Sequence, residues 1–155
     1  MLEILEAESD ENLEQIRTLF GEYAGTLDFG LDFQNFDKEL ANLPDDYTRP
    51  AGCLLLAFHK GQLAGCVGLR KLSDGICEMK RLYVKEQFRG LGIGRALTEA
   101  VVKEAQKIGY NYMRLDTVPS MEVARALYSS LGFKQTTPYR YNPIEGAVFM
   151  ELRLM

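Results

Sequence analysis

The sequence has one histidine, His59, among 155 residues. A zinc site built on several imidazoles is therefore excluded, and imidazole general-base chemistry has a single source. His59 abuts a hairpin turn and reads as exposed structure. Cysteine is also sparse. Cys53, Cys66 and Cys77 are odd in number and show no CxxC spacing. That argues against a disulfide framework and for a reducing, cytoplasmic setting. Each lies in an apolar run and reads as a small buried hydrophobe rather than a reactive thiol. Basic charge is not in excess: 18 Lys and Arg stand against 22 Asp and Glu, for a net charge of −4 with His neutral. Holding a nucleic acid by bulk electrostatics, or a membrane by a polybasic anchor, needs the opposite balance. The acidic start MLEILEAESDENLEQ lacks the basic flank and the apolar run of a signal peptide or a membrane span. Internal repeats, low-complexity tracts and linkers are lacking too.

What is present is ordinary for a globular domain, with 46% hydrophobic and 26% charged residues. The length suits one domain over residues 1–155, able to bury about 68–70% of the surface of its unfolded chain. Leu2 and Ile4 suggest a first strand. Ser9 or Asp10 can cap the helix that follows, whose apolar face is Leu13, Ile16, Leu19/Phe20 and Tyr23. A second helical pattern, Phe33, Phe36, Leu40 and Leu43, stops before Pro44, and residues 44–52 (PDDYTRPAG) form a loop. Strands then take over. Cys53–His59 and residues 63–69 are joined at Lys60-Gly61, and a turn at Ser73-Asp74-Gly75 leads into Ile76–Val84. After residues 87–94 (QFRGLGIG) comes a long helix with Ile93, Leu97, Val101, Ala105 and Ile108 inward, stopped by Gly109. Residues 112–116 read as a strand. A helix from Pro119-Ser120 turns Val123, Leu127 and Leu131 inward and ends at Gly132. A Pro- and Tyr-rich loop, 136–146, precedes a last strand at 147–154. Its free edge would allow pairing with a second copy, which makes a homodimer plausible. The class is α/β (α+β): helices first, then a mostly antiparallel sheet containing one β-loop-α-β unit.

The chemistry concentrates at Gly90, Gly92 and Gly94, between a strand and a helix. Glycine lets the backbone adopt unusual angles and lets a ligand approach the main chain. The helix start offers unpaired N–H groups and the positive end of the dipole, which suits an anion such as phosphate. Arg89 and Arg95 flank it and can pair with phosphate oxygens. A nucleotide triphosphatase loop would need Gly-Lys-Ser/Thr, but Gly94 is followed by Arg95-Ala96. A dinucleotide fingerprint would need a glycine where Arg95 stands and would open the domain, whereas this loop comes after four strand patterns.

The pattern Arg89-x-x-Gly92-x-Gly94, with Leu127-Tyr128-x-x-x-Gly132-Phe133 further along, resembles the GCN5-related N-acetyltransferases, the GNAT family. The resemblance covers nearly the whole chain. It implies the GNAT fold: a central, mostly antiparallel mixed sheet of about seven strands flanked by about four helices. It implies acetyl-CoA as cosubstrate, no metal, and direct transfer of the acetyl group to an amine of a small molecule or peptide. Pyrophosphate would bind the backbone from Arg89 through Gly90, Leu91, Gly92, Ile93 and Gly94 to Arg95. The pantetheine arm would pair with Leu82, Tyr83 and Val84. Many family members carry asparagine seven residues before the tyrosine, where this chain has Met121.

By the same resemblance, Tyr128 would protonate the leaving thiolate. A phenol with an ordinary pKa near 10 is still protonated at neutral pH. Glu78 would be the general base, directly or through a water, or else an ion-pair partner of Lys80 or Arg81. Ideal alternation puts Glu78 on one face with Lys80 and Leu82. Asp116 would orient the amine or merely begin a loop. The acceptor pocket would draw on Tyr23, Asp28, Phe29 and Asp32, and on Tyr139, Arg140, Tyr141 and Asn142. The aspartates favour a cationic amine, whereas Arg140 and Tyr141 favour an amine that carries a carboxylate. Two other readings of the residues stand beside this one: a non-catalytic acyl-CoA-binding module, and a transferase of the same fold using another acyl group or an alcohol acceptor.

Overall fold

The structure is a computed structural model that describes residues 1–26, 36–117, 121–142 and 144–155. Strand β1 (Leu2–Glu6) leads to helix α1 (Asp10–Thr26). Ser9 is the residue that caps it, its hydroxyl accepting the Asn12 N–H at 3.1 Å. Helix α1 buries Ile16, Leu19 and Phe20, as its periodicity requires. A short helix α2 (Phe36–Ala41) and a 3-10 turn (Asp45–Tyr47) follow. Phe33 of the expected second helix lies outside the described residues. Strands β2 (Cys53–His59), β3 (Gln62–Ser73) and β4 (Ile76–Val84) form two successive hairpins. The turns fall at the Lys60-Gly61 and Asp74-Gly75 breakers, where Gly61 and Gly75 adopt positive φ.

Helix α3 (Ile93–Ile108) crosses the sheet and stops at Gly109, whose φ of 107° supplies the left-handed C-cap. It buries Ile93, Leu97, Val101 and Ala105. Fully burying a side chain such as Leu97 contributes about 1.5–3 kcal/mol. Strand β5 (Tyr112–Thr117), helix α4 (Glu122–Ser130), strand β6 (Lys134–Thr136) and strand β7 (Val148–Arg153) complete the chain. The sheet has seven strands in the order β1-β2-β3-β4-β5-β7-β6. Among the described residues, only the β4–β5 pair is parallel. One apolar cluster, around Met79, Leu97, Val101, Met113 and Phe133, lies under α3 and α4. The other, around Ile16, Phe20, Leu54 and Leu56, lies under α1. None of the described helices is long and apolar enough to cross a membrane.

Four sequence expectations change. Strand β7 is flanked by β5 on one side and β6 on the other, so its edge is not free to pair with a second copy. Strand β6 falls where a helix end and the start of a loop were expected, because three residues are too few to show an alternating pattern. Val123 is 87% exposed on α4 rather than inward. His59 is partly buried, its ring 5.8 Å from that of Phe88.

A fifth change matters for the site. Between the pairs Cys66↔Tyr83 and Gly68↔Lys80, β4 carries two residues where β3 carries one. This is a β-bulge, with Arg81 at a φ of 60°. The extra residue inverts the alternation. Leu82 and Val84 join the cluster under α3, while Tyr83 joins the one under α1. Leu82 therefore does not share a face with Glu78.

Candidate active site

Strands β4 and β5 pair only at Ile76↔Tyr112, Cys77↔Met113 and Glu78↔Arg114. Beyond Glu78 they part. The rest of β4 stays with β3 and the rest of β5 with β7. A cleft of about 840 Å³ opens along the freed end of β4. Leu82, Tyr83 and Val84 form one wall, and Tyr23 and Thr26 at the end of α1 another. Met121 and Leu127 of the α4 segment face them, so a thioether stands where a polar asparagine was the family's usual choice.

The start of α3 closes one end. Gly90 and Gly92 hold φ near +82° and +81°, which an L side chain adopts only with strain. A Cβ at either position would meet nothing within 4 Å. Their need for glycine is thus conformational and leaves open space over the backbone. No side chain caps the helix. The first bond at the helix start runs from Ala96 N–H to Gly92 O at 3.0 Å. The N–H groups of Ile93, Gly94 and Arg95 therefore have no carbonyl partner within the helix. Arg89 and Arg95 line this end. Arg89 Nε donates to Val84 O at 3.0 Å, and Arg95 Nη2 donates to Ser130 Oγ at 2.7 Å. Both guanidiniums are fixed at the end of the cleft where these N–H groups lie. Leu91, also expected here, is 55% exposed and outside the cleft walls.

Tyr128 lies on α4, buried against Phe133 with ring centroids 5.7 Å apart. Burial pushes its phenol well above the ordinary range, and the nearby Tyr23 and Asp116 add to that. Tyr23 is pushed up by burial as well, with Arg81 opposing and Asp116 reinforcing. Tyr23 and Asp116 therefore both lie near Tyr128, which is itself not among the residues that line the cleft. Asp116 accepts a hydrogen bond from Asn142 Nδ2 at 3.1 Å.

Glu78 is fully buried on the α1 side of the sheet. It accepts from Arg70 Nε at 2.8 Å, from Tyr139 Oη at 2.7 Å and from Arg140. Burial alone would raise its pKa, but Lys80, Arg140 and Arg70 outweigh burial and hold it below the ordinary carboxylate range. Lys80, buried beside it, is pushed down to about 7 by burial and by Arg81. Arg81 makes a two-pronged pair with Glu39, at 2.9 and 3.1 Å.

Of the expected acceptor residues, Tyr23 lines the cleft, whereas Asp116 is not among its lining residues. Phe29 lies outside the described residues, as do Asp28 and Asp32. Tyr141 is 75% exposed and turned away, whereas its neighbours Tyr139 and Arg140 turn inward. Sequence reasoning missed Arg70, Glu39 and Tyr47. Arg70 was out of reach of simple counting: back from Ser73↔Ile76 it pairs Glu78 with Lys71, and a register shift between Lys71 and Ser73 brings Arg70 there instead. Tyr47 sits in a loop with no periodicity to announce it. Among the described residues, no group of three His, Cys, Asp or Glu side chains is placed to hold a metal ion.

Comparison with known proteins bears on this geometry. The sequence profile of the acetyltransferase (GNAT) family matches residues 13–133. An uncharacterised N-acetyltransferase of Schizosaccharomyces pombe is 40% identical over 146 residues, covering 93% of this chain and 90% of its own. A GNAT-family acetyltransferase from Staphylococcus aureus Mu50 superposes with a TM-score of 0.80 at 21% identity, covering 100% of both chains. A Salmonella typhimurium acetyltransferase, solved with its cofactor acetyl-CoA, gives 0.78 at 19% identity, covering 99% of this chain and 94% of its own.

Proposed function

This chain belongs to the acetyltransferase (GNAT) family, and from that footing we propose that it transfers the acetyl group of acetyl-CoA directly to an amine. The observation that carries the reading is the cleft that runs from the uncapped start of α3 along the freed end of β4 to Tyr23, with Tyr23 and Asp116 both near Tyr128. The residues present fit the donor. The open space over Gly90 and Gly92 and the N–H groups of Ile93, Gly94 and Arg95 suit a pyrophosphate, with Arg89 and Arg95 as charge partners. Leu82 and Val84 present an apolar wall and strand backbone to a pantetheine arm. When bound, acetyl-CoA supplies an activated thioester.

The chain's own groups then handle protons and orientation. Tyr128 keeps its phenolic proton at neutral pH and donates it to the departing sulfur. The carboxylate of Asp116, held by Asn142, receives the acceptor's ammonium, which gives up its proton to water before attack. Glu78 is a poor base, because guanidinium groups occupy its oxygens and favour its charged form. Its duty is to hold Arg70, Arg140 and Tyr139 in place. Thiol release from acetyl-CoA, assayed across a panel of amines, tests the proposal. Tight coenzyme A binding with no release for any amine would instead indicate a binding module.

A further inference from the structure

We infer that the acceptor is a free amino acid, whose carboxylate docks among Arg140, Arg70 and the Tyr47 hydroxyl while its ammonium faces Asp116. The inference rests on the acetyltransferase reading and names the substrate class of that site.

Charge balance on the α1 side of the sheet is the first ground. Arg70, Arg81 and Arg140 converge there on two shielded carboxylates, Glu78 and Glu39. Glu39 pairs with Arg81, and Glu78 is shared by Arg70 and Arg140. The remaining carboxylate near Arg70, that of Asp46, is 65% exposed at 3.5 Å. Among the described residues, Arg70 and Arg140 share one buried carboxylate and the exposed Asp46 is the other one in reach, so the buried part of the cluster carries an excess of positive charge. A shielded excess of that kind is stabilised by an anion.

Two polar atoms supply the second ground. Tyr47 is 2% exposed, and its hydroxyl has no hydrogen-bond partner among the described residues. Glu39, Arg81, Arg70 and Glu78 all act on that hydroxyl, which places it within the same cluster. Arg140 Nε is likewise buried without a partner among the described residues. A buried donor left unpaired costs the free energy of its lost hydration. A carboxylate accepts from both a hydroxyl and a guanidinium N–H.

The third ground is spacing. Glu78 lies opposite Arg114, and Asp116 is two residues further along β5. Two strand residues span about 7 Å. The same loop serves both ends: Tyr139 and Arg140 reach Glu78, and Asn142 reaches Asp116. A molecule that presents a cation and an anion a few bonds apart matches this arrangement. A polyamine, which carries only cations, would place one beside Arg140.

The test compares wild-type thiol release with free amino acids, their α-carboxamides and spermidine. The expected result is a kcat/KM at least tenfold higher for one or more free acids than for the matching carboxamide. Arg140→Gln and Tyr47→Phe should each raise the acceptor KM by roughly tenfold to a hundredfold, as for a lost hydrogen bond to a charge. KM for acetyl-CoA should be unchanged, and Arg140→Lys should recover part of the loss. If Arg140→Gln fails to fold, Tyr47→Phe and the wild-type panel decide. Equal use of acid and carboxamide, preference for spermidine, or an unmoved acceptor KM in Tyr47→Phe would overturn the inference and leave the transferase reading standing. Coenzyme A binding without release for any amine would overturn both.

Discussion

Arg140 reaches Glu78 across 62 positions of sequence, and the two close over the point where β4 and β5 part. Glu78 has no exposed surface, so its charge is held only by the groups that touch it. Replacing it leaves Arg70 and Arg140 facing each other with only the exposed Asp46, 3.5 Å from Arg70, as a counter-charge among the described residues.

Glu78→Gln should therefore lower stability by about 3 kcal/mol, the scale for breaking a buried ion pair. In a domain of this size that lowers Tm by roughly 6–12 °C. The pH dependence carries the sign. The folded pKa of Glu78 lies below its ordinary value of 4.5. Its stabilisation is thus present above about pH 4.5 and lost as pH falls through the folded value. Thermal melts from pH 3 to pH 7 should show a shallower acid limb in the variant than in wild type.

Lys80 gives the opposite window. Its folded pKa of about 7 lies below the ordinary 10.5. The cost of burying its ammonium is fully present below about pH 7 and fades as pH rises toward 10.5. Selectively labelled lysine NMR should show one resonance with a midpoint near pH 7, absent in Lys80→Met. A midpoint near 10 for every lysine would contradict the burial argument.

Tyr128→Phe keeps the ring against Phe133 and removes only the hydroxyl. We expect kcat to fall by about 10²-fold, the lower end of general-acid contributions, with coenzyme A affinity little changed. Steady-state kinetics and calorimetry separate the two effects. An unchanged kcat would remove the proton-donor role.

Gly92 distinguishes strain from ligand clash. Gly92→Ala should cost about 1–2 kcal/mol for holding φ at +81° and leave coenzyme A binding measurable. Gly92→Arg places a long side chain over the helix start and should abolish binding by calorimetry. Retained affinity in the arginine variant would put the pyrophosphate elsewhere.

The donor half was legible in the sequence because its signals are local. Gly90 and Gly92 mark a left-handed turn, the apolar repeat of α3 fixes its buried face, and Gly109 stops it. The acceptor half was not, because it is assembled from distant segments. Tyr47 comes from a loop, Arg70 from β3, Glu78 from β4, and Tyr139 and Arg140 from the segment before β7. The Arg81 bulge also defeats strict alternation, so Leu82 could not be assigned to its face from spacing. Val123 misled because the helical repeat sets which residues share a stripe, not whether another layer covers it.

The placement of β7 between β5 and β6 has a consequence for how such a protein diversifies. The segment carrying Tyr139, Arg140 and Asn142 is anchored at both ends in the sheet, by β6 and by β7. The stretch 82–95, proposed to face the donor, is contiguous and lies on other elements. On that proposal, recognition of what is given and of what receives it is written in separate parts of the chain. The loop between β6 and β7 can be rewritten for a new recipient while the donor cradle, and the chemistry it serves, stay as they are.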